Sequence, residues 1–557
     1  MEKYMEKYWQ WVNNPAVGES VRAELTLIAD DHAEIAERFH KDLEFGTGGL
    51  RGIIGAGTNR MNIYTVRRAS QGLADYILAT TAPGAAGRGV AVSYDCRRFS
   101  KEFALETALI MVQNGIKAYV FEEMRPTPML SFAVRELGCI AGVMVTASHN
   151  PPNYNGYKAY WEDGGQMAFP KDEAVIAYVN KIDDPASLKS ADKEAAVALG
   201  QLVFLGREID DKYHARIGEL IINREAIEQM SDDFTIVYSP FYGCGNVPVL
   251  RALKEAGFAN VHVVRKQQEP NPDFPTLKYP NPEDPAAFAL AIALGQEKNA
   301  DIILANDPDA DRVGAMVKNA DGEYELISGN GVGVLFAEYI LSQKTHDNPG
   351  IVSTFVSTRL AQVIAAAYGA GYVETFTGYK NIAKEIFKWE QTGEFNYVYG
   401  FEESFGYLVG DFVRDKDGVS AAMLLCEMAA FYKSKGKSLF DALDDIYAKY
   451  GYYAEETFSV TMPGRDGAVK MRQMIADMRQ SPPSFLAGTA VTGMIDYAKH
   501  ENPSDMLYFT LADESWFCVR PSGTEPKIKI YLGVKAASAK DSKKLLQTYS
   551  EILRKLF

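Results

Sequence analysis

Apolar residues along the chain fall into two patterns, short β-rich runs and longer stretches with helical spacing, which alternate several times. The runs at 90–94, 234–238 and 351–356 are each followed by a helical pattern. Strands that alternate with helices are typical of α/β domains with a mainly parallel sheet. Three such units predict a repeated α/β domain, although residue identity between the units is low.

The two ends of the chain show different patterns. The first forty residues carry apolar positions at helical spacing among many charges, which predicts helices. The last hundred residues predict a compact α+β domain, with strand-like runs at 456–462, near 507 and 516, and at 528–532, and helical patterns at 467–478 and 540–556. The Pro-rich segment 270–285 predicts a structured loop inside the second unit, with a flexible linker as the alternative.

Composition and charge exclude several classes of protein. The chain has 557 residues, of which 47% are hydrophobic and 24% charged, and this length allows about three to five domains. The net charge of -15 argues against a general nucleic-acid binder, although a local group of Arg and Lys could still bind phosphate. Five scattered cysteines without a C-x-x-C pair predict neither a disulfide framework nor a zinc site, which suits the cytoplasm. A signal peptide and a membrane span are not predicted either.

The first motif with candidate chemistry is T-A-S-H-N-P-P-N-Y-N-G-Y-K, from Thr146 to Lys158. It follows a predicted strand, at the edge of the sheet where α/β proteins bind ligands. The hydroxyl of Ser148 is a weak nucleophile that needs a base or a metal, and His149 and Lys158 are nearby candidates. Adjacent side chains on an extended segment point apart, so His149 is expected to be poorly placed as its base. A serine protease is not indicated, and the G-x-S-x-G elbow is missing as well. A plain surface turn is the alternative.

The second motif is D-P-D-A-D-R, from Asp307 to Arg312. Its three carboxylates stand at alternate positions after a predicted strand at 301–305, so they can converge on one hard cation. An EF-hand is excluded because Arg312 and Lys318 occupy the positions that need Gly and Glu. The motif therefore predicts a Mg²⁺ site, with an exposed acidic turn as the alternative.

Two further motifs suit a phosphorylated sugar. G-F-E-E-S-F-G at 400–406 offers the carboxylates and the hydroxyl that accept hydrogen bonds from a polyol, although it could also be a helix N-terminus. R-P-S-G-T-E-P-K-I-K at 520–529 combines cations, hydroxyls and a glycine as a phosphate cradle would, with a basic turn as the alternative. Two weaker polar loops are F-G-T-G-G-L-R-G at 45–52, which lacks nucleotide-binding spacing, and T-G-Y-K-N-I at 377–382.

Together these segments resemble the α-D-phosphohexomutase superfamily, in the family's order from Phe45 to Tyr531. The stretches G-F-E-E-S-F-G-Y and D-K-D-G-V-S-A-A are similar to the branch of type-2-like phosphoglucomutases and phosphopentomutases. The animal type-1 enzyme carries a histidine shortly after the sugar loop, but this chain has Y-L-V-G-D-F-V-R there. A base role for a residue in that stretch is therefore not carried over.

The resemblance implies an α/β fold in which three similar α/β domains with mixed sheets and a C-terminal α+β domain surround a central cleft. The implied domains carry the phosphoserine, metal, sugar and phosphate loops in turn, at 1–205, 206–325, 326–455 and 456–557. The implied activity is a mutase that interconverts a sugar 1-phosphate and a sugar 6-phosphate, foremost of glucose, through phosphoserine and a sugar bisphosphate. Pentose or mannose phosphates, a glucose-1,6-bisphosphate synthase, a hydrolase and an inactive phosphosugar-binding regulator remain alternatives.

The resemblance also implies the ligands and the roles of the site residues. Mg²⁺ is the implied cofactor and glucose 1,6-bisphosphate the activator, with a small phosphosugar as partner, neither nucleic acid nor membrane, and a monomer or homodimer. The implied catalytic residues are Ser148, His149, Lys158 and Arg51. The implied metal ligands are Asp307, Asp309, Asp311 and the phosphorylated Ser148. The implied substrate-binding residues are Arg312, Gly378, Lys380, Glu402 and Ser404, and the implied phosphate-binding residues are Arg520, Ser522, Gly523, Thr524 and Lys529.

Overall fold

The structure is a computed structural model that describes residues 2–46, 49–82, 84–461, 464–500, 504–521 and 527–557, without the side chains of 464–469. The chain divides into two compact units. The first comprises 1–329 and 378–438, and the second comprises 330–377 and 439–557. Among the described residues, no helix is both long and apolar enough to cross a membrane.

The helices alternate with strands through most of the chain. The helices are α1 (Lys3–Asn13), α2 (Glu19–Thr26), α3 (His32–Phe39), α4 (Ile63–Thr80), α5 (Ser100–Gln113), α6 (Thr127–Glu136), α7 (Lys171–Val179), α8 (Lys193–Ala198), α9 (Arg207–Gly218), α10 (Arg224–Met230), α11 (Asn246–Ala256), α12 (Ala289–Lys298), α13 (Gly329–Gln343), α14 (Leu360–Ala367), α15 (Tyr379–Thr392), α16 (Gly418–Ser434), α17 (Leu439–Tyr450), α18 (Gly464–Gln480) and α19 (Ala539–Leu556). The strands are β1 (Leu50–Ile53), β2 (Val90–Tyr94), β3 (Ala118–Phe121), β4 (Ala141–Val145), β5 (Tyr154–Trp161), β6 (Leu202–Leu205), β7 (Ile236–Ser239), β8 (Val261–Val263), β9 (Ile302–Asn306), β10 (Val313–Lys318), β11 (Tyr324–Leu326), β12 (Pro349–Thr354), β13 (Gly371–Thr375), β14 (Asn396–Glu402), β15 (Gly406–Val409), β16 (Tyr452–Thr461), β17 (Phe485–Leu486), β18 (Thr489–Asp496), β19 (Leu507–Leu511), β20 (Trp516–Pro521) and β21 (Lys527–Ala536).

The first unit contains a six-stranded sheet in the order β1-β5-β4-β2-β3-β6. Strand β2 runs parallel to β3 and β4, and β3 runs parallel to β6, whereas β5 is antiparallel to both β4 and β1. Strands β2 and β4 are fully buried and rich in valine, as expected for strands covered on both faces. The carboxyl end of β4 therefore lies beside the carboxyl ends of the parallel strands β2 and β3.

A second sheet of the same unit has the order β11-β10-β9-β7-β8. Strand β7 is parallel to β8 and β9, while β10 is antiparallel to both β9 and β11. The Pro-rich segment 270–285 belongs to this part of the fold, because Phe274 is 1% exposed and its ring lies 6.4 Å from that of Tyr242. The segment is thus a structured loop, as predicted, and the linker alternative is wrong.

The first unit also contains the β14–β15 hairpin and the buried helix α16. The carboxylate of Asp417 caps α16 by accepting from the backbone N–H groups of Val419 and Ser420 at 2.9 and 3.0 Å. The helix packs against α10, α11, β9, β10 and β15. This packing explains why 378–438 groups with the first two sheets.

The second unit contains the parallel pair β12–β13 and a separate sheet in the order β16-β21-β20-β19-β18-β17. The strands of the separate sheet are all antiparallel, and α19 packs against β16 and β21. Its core includes Phe509 and Phe517, whose rings stack at 4.5 Å. The C-terminal part is therefore the α+β domain that the sequence predicts.

One strand departs from the sequence-based interpretation. Residues 154–161 form β5, so Lys158 lies on a strand rather than on the loop that carries Ser148. The two prolines and Gly156 obscure this strand in the sequence. A Cβ at position 156 would lie 2.5 Å from the carbonyl oxygen of Thr146, so the glycine permits a close approach of backbones. The first sheet is accordingly mixed, with three parallel and two antiparallel strand pairs.

Candidate active site

Ser148 lies just beyond the carboxyl end of β4 and is 4% exposed. Its backbone adopts a left-handed conformation, with φ of 50°, which is unusual for a residue other than glycine. Its N–H donates to Thr146 Oγ1 at 2.8 Å, and its Oγ donates to Asp307 Oδ2 at 2.6 Å. The serine hydroxyl therefore points directly at the acidic loop.

The expectation that His149 is poorly placed beside Ser148 is wrong. His149 Nδ1 lies 3.3 Å from Ser148 Oγ. The argument assumed an extended segment, but the left-handed backbone at Ser148 turns the two neighbouring side chains toward each other. Desolvation, followed by the charges of Arg312 and Arg51, lowers the pKa of His149 well below its ordinary value, so its imidazole is neutral.

The acidic loop follows β9 and brings three carboxylates together. Asp307, Asp309 and Asp311 are each at most 1% exposed, and one oxygen of each lies within 4.8 Å of the others. Asp309 Oδ1 and Asp311 Oδ1 have no hydrogen-bond partner in the described part of the chain. Burial, and then the two neighbouring carboxylates, raises the pKa of Asp307 well above its usual range. Unpartnered buried carboxylate oxygens are what a hard cation such as Mg²⁺ binds, so the triad fits this metal.

Two buried lysines accompany the triad. Lys158 Nζ lies 2.8 Å from Asp309 Oδ2 and 3.3 Å from Asp311 Oδ2. Lys416 Nζ lies 3.1 Å from Asp311 Oδ2 and 3.2 Å from Asp415 Oδ1. Burial alone would lower the pKa of each lysine, but the neighbouring carboxylates outweigh burial and raise both pKa values. A lysine needs a lowered pKa to act as a general base, so the raised pKa values make both lysines cations rather than bases.

Lys416 was missed as a site residue by the sequence interpretation. It stands in the D-K-D-G stretch, which served only to recognise a family branch. A lysine between two aspartates usually indicates a solvated surface, whereas here the residue is 8% exposed and lies 5.6 Å from the centre of the Tyr379 ring.

Two arginines border the loop of Ser148 and the triad. Arg51 is exposed, and its Nη1 donates to Asn150 Oδ1 at 3.1 Å, on the loop of Ser148. Arg312 forms an ion pair with Glu283, and its Nε lies 3.8 Å from Asp311 Oδ1. Burial by itself would lower the pKa of Arg312, but the nearby Glu283 and Asp311 raise it above its ordinary value. The two arginines add positive charge beside the three aspartates.

The predicted sugar loop is the tip of the β14–β15 hairpin, not a helix N-terminus. Ser404 lies in the turn, and the carbonyl of Phe405 accepts from Val313 N at 3.2 Å, which places the tip beside the start of β10. Glu402 is 6% exposed, and its Oε1 accepts from the N–H of Gly378 at 2.7 Å. The hairpin and the start of α15 thus meet at Glu402. The prediction of a loop at 377–382 is wrong from Tyr379 onward, where α15 begins.

Lys380, a predicted substrate-binding residue, contacts a carboxylate of the protein in this structure. Its Nζ lies 2.9 Å from Oδ2 of the buried Asp172, at the start of α7. This contact ties the first turn of α15 to the domain of the first sheet. A ligand that binds Lys380 would therefore share the amine with Asp172.

The predicted phosphate cradle belongs to the second unit. Arg520 on β20 faces Lys529 on β21, and Arg520 Nη1 donates to Thr377 Oγ1 at 2.7 Å. Ser522, Gly523 and Thr524 lie outside the described residues. The two described candidates for phosphate binding, Arg520 and Lys529, are thus cross-strand neighbours.

Three family models match successive parts of the chain. They cover 42–186, 211–322 and 328–450 and are described as phosphoglucomutase/phosphomannomutase α/β/α domains I, II and III. The chain belongs to the phosphoglucomutase/phosphomannomutase family. The predicted superfamily and the predicted fold class are therefore confirmed, with three α/β domains followed by a C-terminal α+β domain.

Relatives of known name match over most of the chain. A phosphoglucomutase from Staphylococcus haemolyticus is 34% identical over 511 residues, which cover 89% of this chain and 91% of the relative. A Haemophilus influenzae protein named "Probable phosphomannomutase" is 35% identical over 498 residues, which cover 89% and 97%. The solved structure of pp63/parafusin, a phosphoglucomutase from Paramecium, covers 92% of this chain and 95% of its own with a TM-score of 0.68 at 18% identity, which supports the fold.

Membership in the phosphoglucomutase/phosphomannomutase family defines the reaction class. The chain is an isomerase that transfers a phosphoryl group within a phosphohexose, and its substrates are phosphosugars. Mg²⁺ is the cofactor of this family, and the buried Asp307–Asp309–Asp311 triad fits it. The predictions of a phosphosugar mutase and of a magnesium cofactor are thereby confirmed.

Proposed function

We propose that the chain interconverts glucose 1-phosphate and glucose 6-phosphate through a phosphorylated Ser148, with glucose 1,6-bisphosphate as activator and bound intermediate. The observation that carries this proposal is the 2.6 Å hydrogen bond from Ser148 Oγ to Asp307, within a buried group of three carboxylates. A nucleophile that touches a metal-binding carboxylate suits phosphoryl transfer, which depends on positioning and charge neutralisation. The Staphylococcus relatives named phosphoglucomutase favour glucose.

The site residues would divide the work by charge and position. Asp307, Asp309 and Asp311 would hold Mg²⁺ together with an oxygen of phosphoserine. When bound, the ion neutralises negative charge on the transferring phosphoryl group. Lys158, Lys416, Arg51 and Arg312 would stabilise the remaining charge, and all four lie around Ser148 or the triad.

Each half of the reaction exchanges one P–O bond for another. The P–O bond to Ser148 breaks while a sugar hydroxyl forms the new P–O bond, so Ser148 gains the proton that the sugar hydroxyl loses. His149 is a fitting shuttle for that proton, because its neutral ring lies 3.3 Å from Ser148 Oγ. The bisphosphate then turns over, and its other phosphoryl group returns to Ser148 by the reverse step.

The remaining predicted residues would bind the part of the substrate that does not react. Glu402 and Ser404, with Gly378 and Lys380, would accept and donate hydrogen bonds to the sugar. Arg520, Ser522, Gly523, Thr524 and Lys529 would bind the distal phosphate. A loop that accepts the sugar in two orientations requires a separate phosphate site, and the cross-strand pair of Arg520 and Lys529 supplies two positive charges for it.

The organisation around this reaction is also proposed. We assign the phosphoserine, metal, sugar and phosphate loops to four domains at 1–205, 206–325, 326–455 and 456–557. None of the five cysteines, all of which lie within the described residues, is in a disulfide, which supports a reducing compartment and hence a cytoplasmic enzyme. A monomer or a homodimer is proposed for the assembly.

A phosphomannomutase is the second candidate, because the Haemophilus influenzae relative carries that name at 35% identity. Mannose differs from glucose only at C2, so the same loops could bind either sugar. A phosphopentomutase and a glucose-1,6-bisphosphate synthase follow behind, since they would use the same nucleophile and metal loop.

The deciding experiment is a coupled assay with glucose 1-phosphate, mannose 1-phosphate and ribose 1-phosphate, each with Mg²⁺ and a trace of glucose 1,6-bisphosphate. We expect glucose 1-phosphate to turn over fastest, and we expect its turnover to vanish with chelator and in Ser148→Ala. A faster rate with one of the other sugars would reassign the substrate. Full turnover by Ser148→Ala would overturn the phosphoserine route.

A further inference from the structure

Arg97 is a buried arginine that no motif of the sequence singled out. It follows β2, and its side chain is 0% exposed. Its Nη1 donates to the carbonyl oxygens of Pro151 and Tyr154 at 2.7 and 3.0 Å. Its Nη2 donates to the carbonyl oxygens of Ser148 and Asn150, both at 2.5 Å. One guanidinium therefore binds four carbonyl groups of one short segment, the loop that carries the nucleophile and the first residue of β5.

The Ser148 loop needs such a donor. Ser148 holds a left-handed backbone, which costs a residue with a side chain on the order of 1–2 kcal/mol. Pro151 and Pro152 have no N–H to offer, so the loop has fewer backbone donors for its own carbonyl groups. An arginine presents five N–H donors in a rigid fork, whereas a lysine presents three on one freely rotating atom. The four-carbonyl arrangement thus requires guanidinium geometry and not only positive charge.

Asp95 connects to both backbone polar groups of Ser148. Its Oδ2 lies 3.4 Å from Arg97 Nε and accepts from Thr146 Oγ1 at 2.7 Å. The same Thr146 oxygen accepts from the N–H of Ser148 at 2.8 Å. The N–H of Ser148 is therefore fixed through Thr146, its C=O is fixed through Arg97, and both connections end on one buried carboxylate.

The guanidinium also contacts the domain that carries the aspartate triad. It lies over the ring of the buried Phe274, 5.2 Å from the ring centre, within the loop 270–285. The adjacent Arg98 forms an ion pair with Asp273 on the same loop. Arg97 thus links the Ser148 loop, on the first sheet, to the part of the fold that holds Asp307.

We propose that Arg97 is a positioning residue for phosphoryl transfer, which keeps Ser148 Oγ in line with the metal loop through the loop backbone. This inference rests on the proposed role of Ser148 as the phosphorylated nucleophile. Arg97 contacts backbone oxygens and the Phe274 ring in this structure, so it acts through Ser148. A nucleophile displaced by about 1 Å can lose on the order of 100-fold in rate, which is the effect expected of an imprecise loop.

The test uses single-turnover transfer of labelled phosphate from glucose 1,6-bisphosphate to the full-length enzyme. Arg97→Lys keeps the charge and loses the fork, and we expect about 100-fold slower labelling with KM changed by less than about 3-fold. Arg97→Ala should be slower still, and millimolar guanidinium should restore labelling where methylammonium does not. Arg98→Ala removes the neighbouring arginine and should label at the wild-type rate.

The outcomes separate this inference from the proposed function. Labelling of Ser148→Ala would show that Ser148 is not the phosphorylated residue, and the inference would lose its basis. With Ser148 established as the labelled residue, wild-type labelling by Arg97→Lys would overturn the positioning role alone. Circular dichroism and melting of each variant are measured alongside. A loss of labelling that only follows the unfolded fraction, without rescue by guanidinium, would assign Arg97 to folding and overturn the proposal.

Discussion

Ser148 Oγ donates to Asp307 Oδ2 at 2.6 Å, although 159 residues separate them in sequence. The contact brings the end of β4 in the first sheet to the end of β9 in the second. A second connection reinforces it, because the backbone N–H of Thr127 donates to the carbonyl oxygen of Asp309 at 2.9 Å. The nucleophile and the metal loop are therefore placed by tertiary structure that joins two α/β domains.

Thr127 offers a test of how this junction serves the metal site. Its Oγ1 donates to Asp309 Oδ2 at 2.8 Å, and the residue is fully buried. In Thr127→Val the carboxylate loses the hydrogen bond that orients it, while the volume stays similar. We expect the Mg²⁺ concentration for half-maximal turnover to rise by about 10-fold or more, as for other groups that orient metal ligands.

Thr127→Ser is the matched control, because it keeps the hydroxyl and loses only a methyl group. Its half-saturating Mg²⁺ concentration should stay close to that of the wild type. Equal Mg²⁺ dependence of the Val and Ser variants would show that the hydroxyl does not orient Asp309.

Gly243 tests the packing beneath the metal loop. A Cβ at this position would lie 2.5 Å from both Cα and O of Pro308, which stands between Asp307 and Asp309. Backbone cannot yield as a flexible side chain can, so Gly243→Ala should displace the loop and lower stability by about 1–3 kcal/mol. A higher Mg²⁺ concentration for half-maximal turnover and a lower melting temperature should appear together. Gly218→Ala meets open space at the end of α9 and should lower neither Mg²⁺ affinity nor the melting temperature. A Gly243→Ala enzyme like the wild type would contradict the expected clash.

Lys416 tests whether the lysine that the sequence interpretation missed is part of the site. Lys416→Met leaves Asp311 and Asp415 without their shared cation in a buried setting, which should cost about 3–5 kcal/mol of stability. Turnover should fall as well, because positive charge is lost beside the triad. Lys416→Arg keeps the charge and should retain more of both. Unchanged unfolding by urea in Lys416→Met would show that the ion pairs contribute little.

The sequence predicted those features of the site that depend on contiguous residues. The Ser148 loop and the Asp307–Asp311 loop are contiguous motifs whose residue types state their chemistry. Thr127, Arg97 and Lys416 act through partners that lie about 50–180 residues away, and nothing local distinguishes them. The prediction for His149 failed for another reason. The orientation of its side chain depends on the left-handed backbone at Ser148, which an extended segment does not have.

The fold was predictable to a similar degree. Valine-rich strands such as β2 and β4 and the amphipathic α19 follow from periodicity. Strand β5 was hidden because Gly156 and the prolines before it are typical of loops, and only the close approach of Thr146 explains the glycine. Local composition therefore identified the motifs of the site, while long-range packing decided that Lys158 lies on a strand and not on a loop.

His214 gives a pH-dependent prediction that is independent of the active site. It lies on α9, is 4% exposed, and its Nδ1 has no hydrogen-bond partner among the described residues, with Glu255 Oε2 at 3.8 Å. Burial, followed by the charge of Arg251, lowers the pKa of His214 to about 4. An unfolded histidine has a pKa of about 6.5, so the unfolded state binds the proton more strongly.

The contribution of neutral His214 to stability is therefore present above about pH 6.5 and is lost as the pH falls toward about 4. The full loss would be on the order of 3 kcal/mol. Urea unfolding is measured from about pH 7.5 to about pH 4.5 for the wild type and for His214→Asn, whose side chain does not titrate. The difference between the two free energies of unfolding should shrink or change sign as the pH falls, because only the wild type has to bury a group that becomes charged. A difference that stays constant over this range would mean that His214 takes up its proton equally in both states.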